Sequence, residues 1–273
     1  MERGNQISTC LGSIVVAAVI ALLQGCATQL AIQPPSGADG QDPASARSVL
    51  LFQNFAVGPA SDGALLPPER LRQGDILLTS GTGLVSASIQ LITIAPVSHA
   101  AIYIGDGKVV EAVRPEVRVR QLDEFMADEK LVVALRYPGL SAQQARSISE
   151  YALSKSGTGF NFLGVTLHVP FAVKRVVCEL PLMPSAARDA CIRGIGMIHK
   201  LAASEARLFC SQLVLQAFRQ AGVPITDADP RLTSPADILH MREGDVPSVR
   251  INKPLRYVGH LKYRREWVAA IES

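Results

Sequence analysis

Three residues of the chain have the types and surroundings for nucleophilic chemistry: Cys210, His99 and Glu111. Cys210 stands in "SEARLFCSQLVLQAF", residues 204–218, where Val214, Leu215 and Phe218 fall on the buried face of an amphipathic helix beginning near the cysteine. A thiol attacks a carbonyl well only as thiolate, which a helix N-terminus, a histidine or both favour. The first turn of a helix also leaves backbone N–H groups free, including that of Cys210, to hold a developing oxyanion. Two roles are therefore open to Cys210, nucleophile or small buried apolar residue, since free cysteine is among the most buried side chains.

A nucleophilic thiol needs a histidine, and the chain has five: His99, His168, His199, His240 and His260. His99 is the informative one. It opens a strand in "VSHAAIYIGDGKVVEAV", residues 97–113, with His99, Ala101 and Tyr103 on one face and Ala100, Ile102 and Ile104 on the other. Glu111 lies on the return strand, a charged residue on the same face as two valines. The parity of the hairpin decides whether it can orient the imidazole. A two-residue Asp106-Gly107 loop sets Ile102 against Glu111 and turns the carboxylate away from His99. A three-residue loop, Gly105-Asp106-Gly107, sets Ala101 against Glu111, which is then diagonal to His99 on the same face. Such diagonal neighbours are about 7–8 Å apart, within reach of long side chains. Glycine at the third loop position suits a bulged three-residue hairpin, so that loop is expected. Tyr103 shares the face of His99 and is a candidate substrate contact; a core aromatic is the alternative. The other four histidines show no ligand-like spacing to cysteines or carboxylates. No metal site and no cofactor are expected.

The elements that must position these residues form an α+β pattern. "GDILL" reads as a short buried strand entered through the turn residues Gly74 and Asp75, and "GLVSASIQLIT" has helical spacing. "LVVALRYP" and "PLRYVGHLK" read as further strands. Ser141 is an N-cap for the helix in "SAQQARSISEYALSK", and "SPADIL" opens a helix with Ser234 as cap, Pro235 in its first turn and Asp237 close behind. Residues 160–204 are unusually apolar with scattered prolines and read as a helical insert near the site.

The 273 residues suit one or two domains, and 48% hydrophobic against 19% charged residues is enough for a sizeable core. A net charge of +3, with no basic run interleaved with aromatics, gives no ground for nucleic-acid binding. Ile14–Leu23, "IVVAAVIALL", has the length of a signal-peptide apolar region and is too short to span a bilayer. The "LLQGC" that follows resembles a bacterial lipobox. It implies cleavage before Cys26 and lipidation of its thiol, which holds the chain at a membrane surface without a spanning helix. Ala27 in place of aspartate favours the outer membrane, if the source is a Gram-negative bacterium. Cys10 then leaves with the signal peptide. Cys178, Cys191 and Cys210 remain in an oxidising compartment, an odd number that leaves one thiol free. Cys178 and Cys191 flank part of the insert and are candidates for a disulfide; that pairing leaves Cys210 as the free thiol. The expected organisation is a signal peptide at 1–25, a flexible tether at 26–66 and a catalytic domain at 67–273. The segment "RSVLLFQNFAV" inside the tether is read as a short helix or strand.

"QGDILL", "SHAAIYIGDGKVVEAV", "FCSQLVLQAF" and "SPADIL", in that order, resemble the circularly permuted branch of the NlpC-type papain-like hydrolases, in particular its YaeF/YiiX-like bacterial members. In that branch the histidine strand precedes the cysteine helix, the reverse of papain. "GTGFNFLG", 157–164, resembles the segment that precedes the cysteine helix in relatives. The resemblance covers about residues 67–240, with 160–204 the least family-like part. It implies a small antiparallel sheet packed against helices, with Cys210 as nucleophile, His99 as general base and Glu111 as the polar third residue. The lecithin retinol acyltransferase group shares the permuted order but has histidine at the third position, so Glu111 places this chain nearer the hydrolases.

The expected activity is cleavage of an amide in the cell envelope, a peptidoglycan peptide or another peptide-like linkage, through an acyl-enzyme. Two alternatives stay open. If the apolar insert lines an acyl-chain channel, the reaction is lipid deacylation or acyl transfer. If Cys210 is sealed from solvent, the chain is a non-enzymatic envelope lipoprotein. The expected location is the periplasmic face of the outer membrane.

Overall fold

The computed structural model describes residues 28–33, 47–54, 65–81, 95–160, 176–179, 183–200 and 208–263. Cys26, the 1–25 leader and the helix expected in "GLVSASIQLIT" lie outside the described residues. The centre of the fold is a six-stranded antiparallel sheet. Its strands are β3 (Ile76–Gly81), β4 (His99–Gly105), β5 (Lys108–Ala112), β6 (Val117–Gln121), β7 (Glu129–Arg136) and β8 (Arg256–Tyr263), in the order β6-β5-β4-β3-β7-β8.

Helices cover the sheet on both sides, so its central strands are apolar runs rather than alternating ones. On one face Ile76, Leu78, Ala100, Ile102, Val110 and Val133 pack against α2 (Ala142–Ser154) and α4 (Cys210–Gln220), with Ile148, Ala152, Leu213, Val214 and Phe218 completing the layer. On the other face Leu77, Ala101, Tyr103, Val109 and Val132 pack against Leu122 and Phe125 of α1 (Leu122–Ala127). α3 (Ser185–Lys200) belongs to the expected insert, and α5 (Pro235–Leu239) closes the helical side. The architecture is the expected α+β one, with Cys210 at a helix N-terminus.

The cap residues act as their types dictate. Ser141 accepts from Gln144 N–H while the Gln144 side chain accepts from Ser141 N–H, a capping box that starts α2. Ser234 and Asp237 do the same for α5, with Pro235 in the first turn. Asp75 belongs to the entry turn of β3, where Oδ2 accepts from Arg72 N–H. Sequence reasoning gave it only a turn role. The structure adds a buried ion pair, Arg136 Nη2 to Asp75 Oδ2 at 2.7 Å, which ties that turn to the end of β7.

The stretch expected as a tether is more than a tether. β1 (Thr28–Gln33) and β2 (Arg47–Phe52) pair as an antiparallel hairpin, with Thr28 against Phe52. The hairpin rests on the main body: Arg188 of α3 donates to the Thr28 carbonyl at 2.6 Å, and the Gln53 amide donates to Ser248 Oγ at 2.7 Å. "RSVLLF" is therefore a strand, and contacts more than 150 residues away in sequence hold it, which local composition does not encode.

Candidate active site

The β4–β5 hairpin brings His99 and Glu111 onto one face. Ala101 pairs with Glu111 and Tyr103 with Val109, the register expected from the glycines. The means differs from the expected three-residue loop. Asp106 (φ 51°) and Gly107 (φ 65°) form a two-residue turn in the left-handed region, and Gly105 pairs with Lys108. The register shifts at Ile104, which has no partner on β5, and this bulge restores the parity that the tight turn would have reversed.

With that register, His99 Nε2 donates to Glu111 Oε2 at 2.8 Å. The carboxylate is 2% exposed, so it needs partners on both oxygens. His99 serves Oε2 and β6 serves Oε1: Arg118 donates from Nε and Nη2 to Glu111 Oε1, each at 2.9 Å, and Arg120 Nη1 lies 3.6 Å from the same oxygen. Burial alone would push the Glu111 pKa up. The hydrogen bond and charge of His99, followed by those of Arg118, overcome it and hold the pKa at about 2. Burial likewise works against protonated His99, but hydrogen bonds to Cys210 and Glu111 and their charges raise its pKa well above the usual imidazole value. The pair thus favours carboxylate and imidazolium. The His99 ring also lies against Phe125 of α1, centroids 6.4 Å apart. A second carboxyl, Glu129 at the start of β7, interacts electrostatically with His99; burial, the largest influence on it, raises its pKa.

Cys210 is the first residue of α4 and is 9% exposed. Its helix packs on the opposite face of the sheet from Glu111, but His99 is the first residue of β4, and at the strand's end the thiol lies near enough to the imidazole to favour its protonated form. Glu111 occupies Nε2, so Nδ1 is the ring nitrogen that Glu111 leaves open. Two devices place the start of α4. Leu208 bridges to Phe160 and donates to the Gly159 carbonyl, and Phe160 in turn donates to the Pro115 carbonyl just before β6. Ser211 Oγ donates to the Thr233 carbonyl at 2.6 Å. Phe209, the N-cap, makes no side-chain cap hydrogen bond, so no cap side chain takes up the N–H groups of the first turn.

Other candidates fall elsewhere. Tyr103 is buried in the α1-side core, and its hydroxyl accepts from Gly107 N–H at 3.2 Å, so it braces the hairpin turn as a core aromatic. Cys178 and Cys191 are joined as a disulfide, Cα atoms 5.6 Å apart, and Cys210 is a free thiol. His240 pairs with Asp245 through Nδ1 at 3.0 Å, and His260 is buried on β8. His168 lies outside the described residues. No group of three or more His, Cys, Asp or Glu side chains among the described residues is arranged to hold a metal ion. Sequence reasoning missed Arg118 and Arg120. Their signal was present: "VRVRQ", residues 117–121, alternates as a strand does and places both arginines on one face.

Residues 70–166, which include His99 and Glu111 but end before Cys210, match the model of a family described as permuted papain-like amidase enzymes, YaeF/YiiX. The chain is 33% identical over 244 residues to a protein of Escherichia coli (strain K12) named "Probable lipoprotein peptidase YaeF", covering 88% of this chain and 89% of that one. The crystal structure of the metalloprotein yiiX from Escherichia coli O157:H7 aligns with a TM-score of 0.43 and 17% identity, covering 71% of this chain and 98% of that one.

Proposed function

The chain belongs to the permuted papain-like amidase family, YaeF/YiiX, and is a cysteine hydrolase; from that premise we propose that Cys210, His99 and Glu111 are its catalytic residues and that it cleaves a peptide-like amide in the cell envelope. The observation that carries this reading is the hydrogen bond of His99 to the buried Glu111 carboxylate at the end of the strand where the free Cys210 thiol starts its helix.

His99 takes the proton of Cys210, and Glu111 holds the imidazole by Nε2 and stabilises the imidazolium. The thiolate attacks the carbonyl carbon. The oxyanion is held by first-turn N–H groups of α4, that of Cys210 included. Collapse expels the amine, which takes its proton from His99, and leaves a thioester at Cys210. Neutral His99 then draws a proton from water, hydroxide attacks the thioester, and the thiol is released.

We place the enzyme in the envelope, anchored by lipid on Cys26 and facing the periplasm from the outer membrane. The lipobox-like "LLQGC" and the lipoprotein name of the relative support this. A membrane through that lipid and an envelope peptide are then its partners.

The test is hydrolysis of peptidoglycan-derived peptides and of acyl esters by the purified enzyme and its Cys210→Ala and His99→Ala variants. Amide cleavage that falls at least a thousandfold in either variant is expected. Amide cleavage that survives Cys210→Ala contradicts the site, and turnover of esters alone contradicts the substrate.

A further inference from the structure

We propose that Arg118 is a positioning and charge-balancing residue of this site: it takes up part of the charge of Glu111, so that the carboxylate orients His99 without locking it as imidazolium. The inference rests on the reading of Cys210, His99 and Glu111 above and adds a fourth residue to it.

The two oxygens of Glu111 have separate assignments. Oε2 serves His99 alone, and Oε1 receives both Nε and Nη2 of Arg118 at 2.9 Å. Arg120 is a weaker contributor. It stands at 3.6 Å, and its Nη2 is committed to Asp128 Oδ2 at 2.8 Å and to the Glu124 carbonyl at 2.9 Å. Arg118 has no such competing partner: Glu111 is its only polar contact among the described residues. Its side chain is 44% exposed, yet its guanidinium fork is spent on one oxygen of a carboxylate that is 2% exposed. A free surface arginine gains little from one such pair. Here the pair fixes the carboxylate that the histidine depends on.

The chemistry gives the reason. Thiolate formation favours protonated His99, but release of the thioester needs neutral His99 as base. A buried carboxylate with its full charge serves the first step and hinders the second. The groups around His99 are Cys210 from α4, Glu111 from β5 and Glu129 from β7, with Arg118 and Arg120 of β6 behind Glu111 and Asp128 behind Arg120. Arg118 is the cation best placed to offset Glu111.

The test needs no substrate. In a Cys210→Ala background, the titration of the His99 ring is followed by NMR in protein carrying Arg118, Arg118→Met or Arg118→Lys. The half-exposed side chain on an outer strand makes these variants compatible with the fold. Arg118→Met raises the midpoint by about one pH unit, the scale of a neighbouring charge, and Arg118→Lys returns most of that shift. A midpoint that stays or falls in Arg118→Met, or one that rises equally in Arg118→Lys, overturns the proposal. Failure of the hydrolase reading would appear instead as amide cleavage that survives Cys210→Ala.

Discussion

Glu111 is the residue on which the site's pH behaviour turns. In the folded chain its pKa lies at about 2, against an ordinary 4.5, because His99 and Arg118 outweigh its burial. A lowered carboxylate pKa contributes stability above the unfolded value and loses it as pH falls through the folded one. His99 runs the other way: its raised pKa contributes below about pH 6.5 and the contribution is lost as pH rises through the folded value. Chemical denaturation of wild type and Glu111→Gln between pH 6 and pH 2 is expected to show wild type losing stability faster as pH drops from about 4.5 towards 2, while the variant, which carries no titrating carboxyl there, follows a flatter curve. Parallel curves contradict the paired carboxylate. Glu111 and His99 were legible in the sequence because each is out of place, a charge beside valines and an imidazole at the head of an apolar strand. Arg118 was not, because arginines on an outer strand are ordinary and only the folded register shows what lies across from them.

At the scale of the element, the β4–β5 hairpin decides whether Glu111 serves His99 or faces the other core. The sequence determined the parity but not its means, because a three-residue loop and a tight Asp106-Gly107 turn with a bulge at Ile104 both set Ala101 against Glu111. Deletion of Ile104 leaves a regular two-residue hairpin with Tyr103 still paired to Val109 and Ala101 to Glu111. The deletion is therefore expected to keep fast alkylation of Cys210, at some cost in stability because Ile104 packs against the core. Alkylation as slow as in a Glu111→Gln protein would show that the bulge itself positions the carboxylate. Helix starts were the most legible elements, since Ser141 and Ser234 act locally. β1 and β2 were least legible, since Arg188 and Ser248 of the distant body hold them.

The whole molecule is needed to bring the thiol of Cys210 to the imidazole of His99. Cys210 starts a helix packed on one face of the sheet, whereas His99 opens a strand of that sheet and bonds to Glu111 on the other face, so the two come together at the end of β4. Phe160, Leu208, Ser211 and Thr233 fix the start of α4 there. The order of motifs made this arrangement readable from sequence, but the hairpin on the body was not. Its β1 begins two residues after Cys26, so a lipid on that cysteine would hold the body close to the membrane rather than on a long leash. An activated Cys210–His99 pair is what the proposed reading requires of this fold. The measurement that tests it most directly is the rate of iodoacetamide alkylation of Cys210 against pH, with the labelled cysteine mapped by mass, in wild type and His99→Ala. Fast labelling below pH 7 that slows sharply in His99→Ala is the result expected. Labelling only above about pH 8.5, the range of an ordinary thiol, and indifferent to His99, would contradict it.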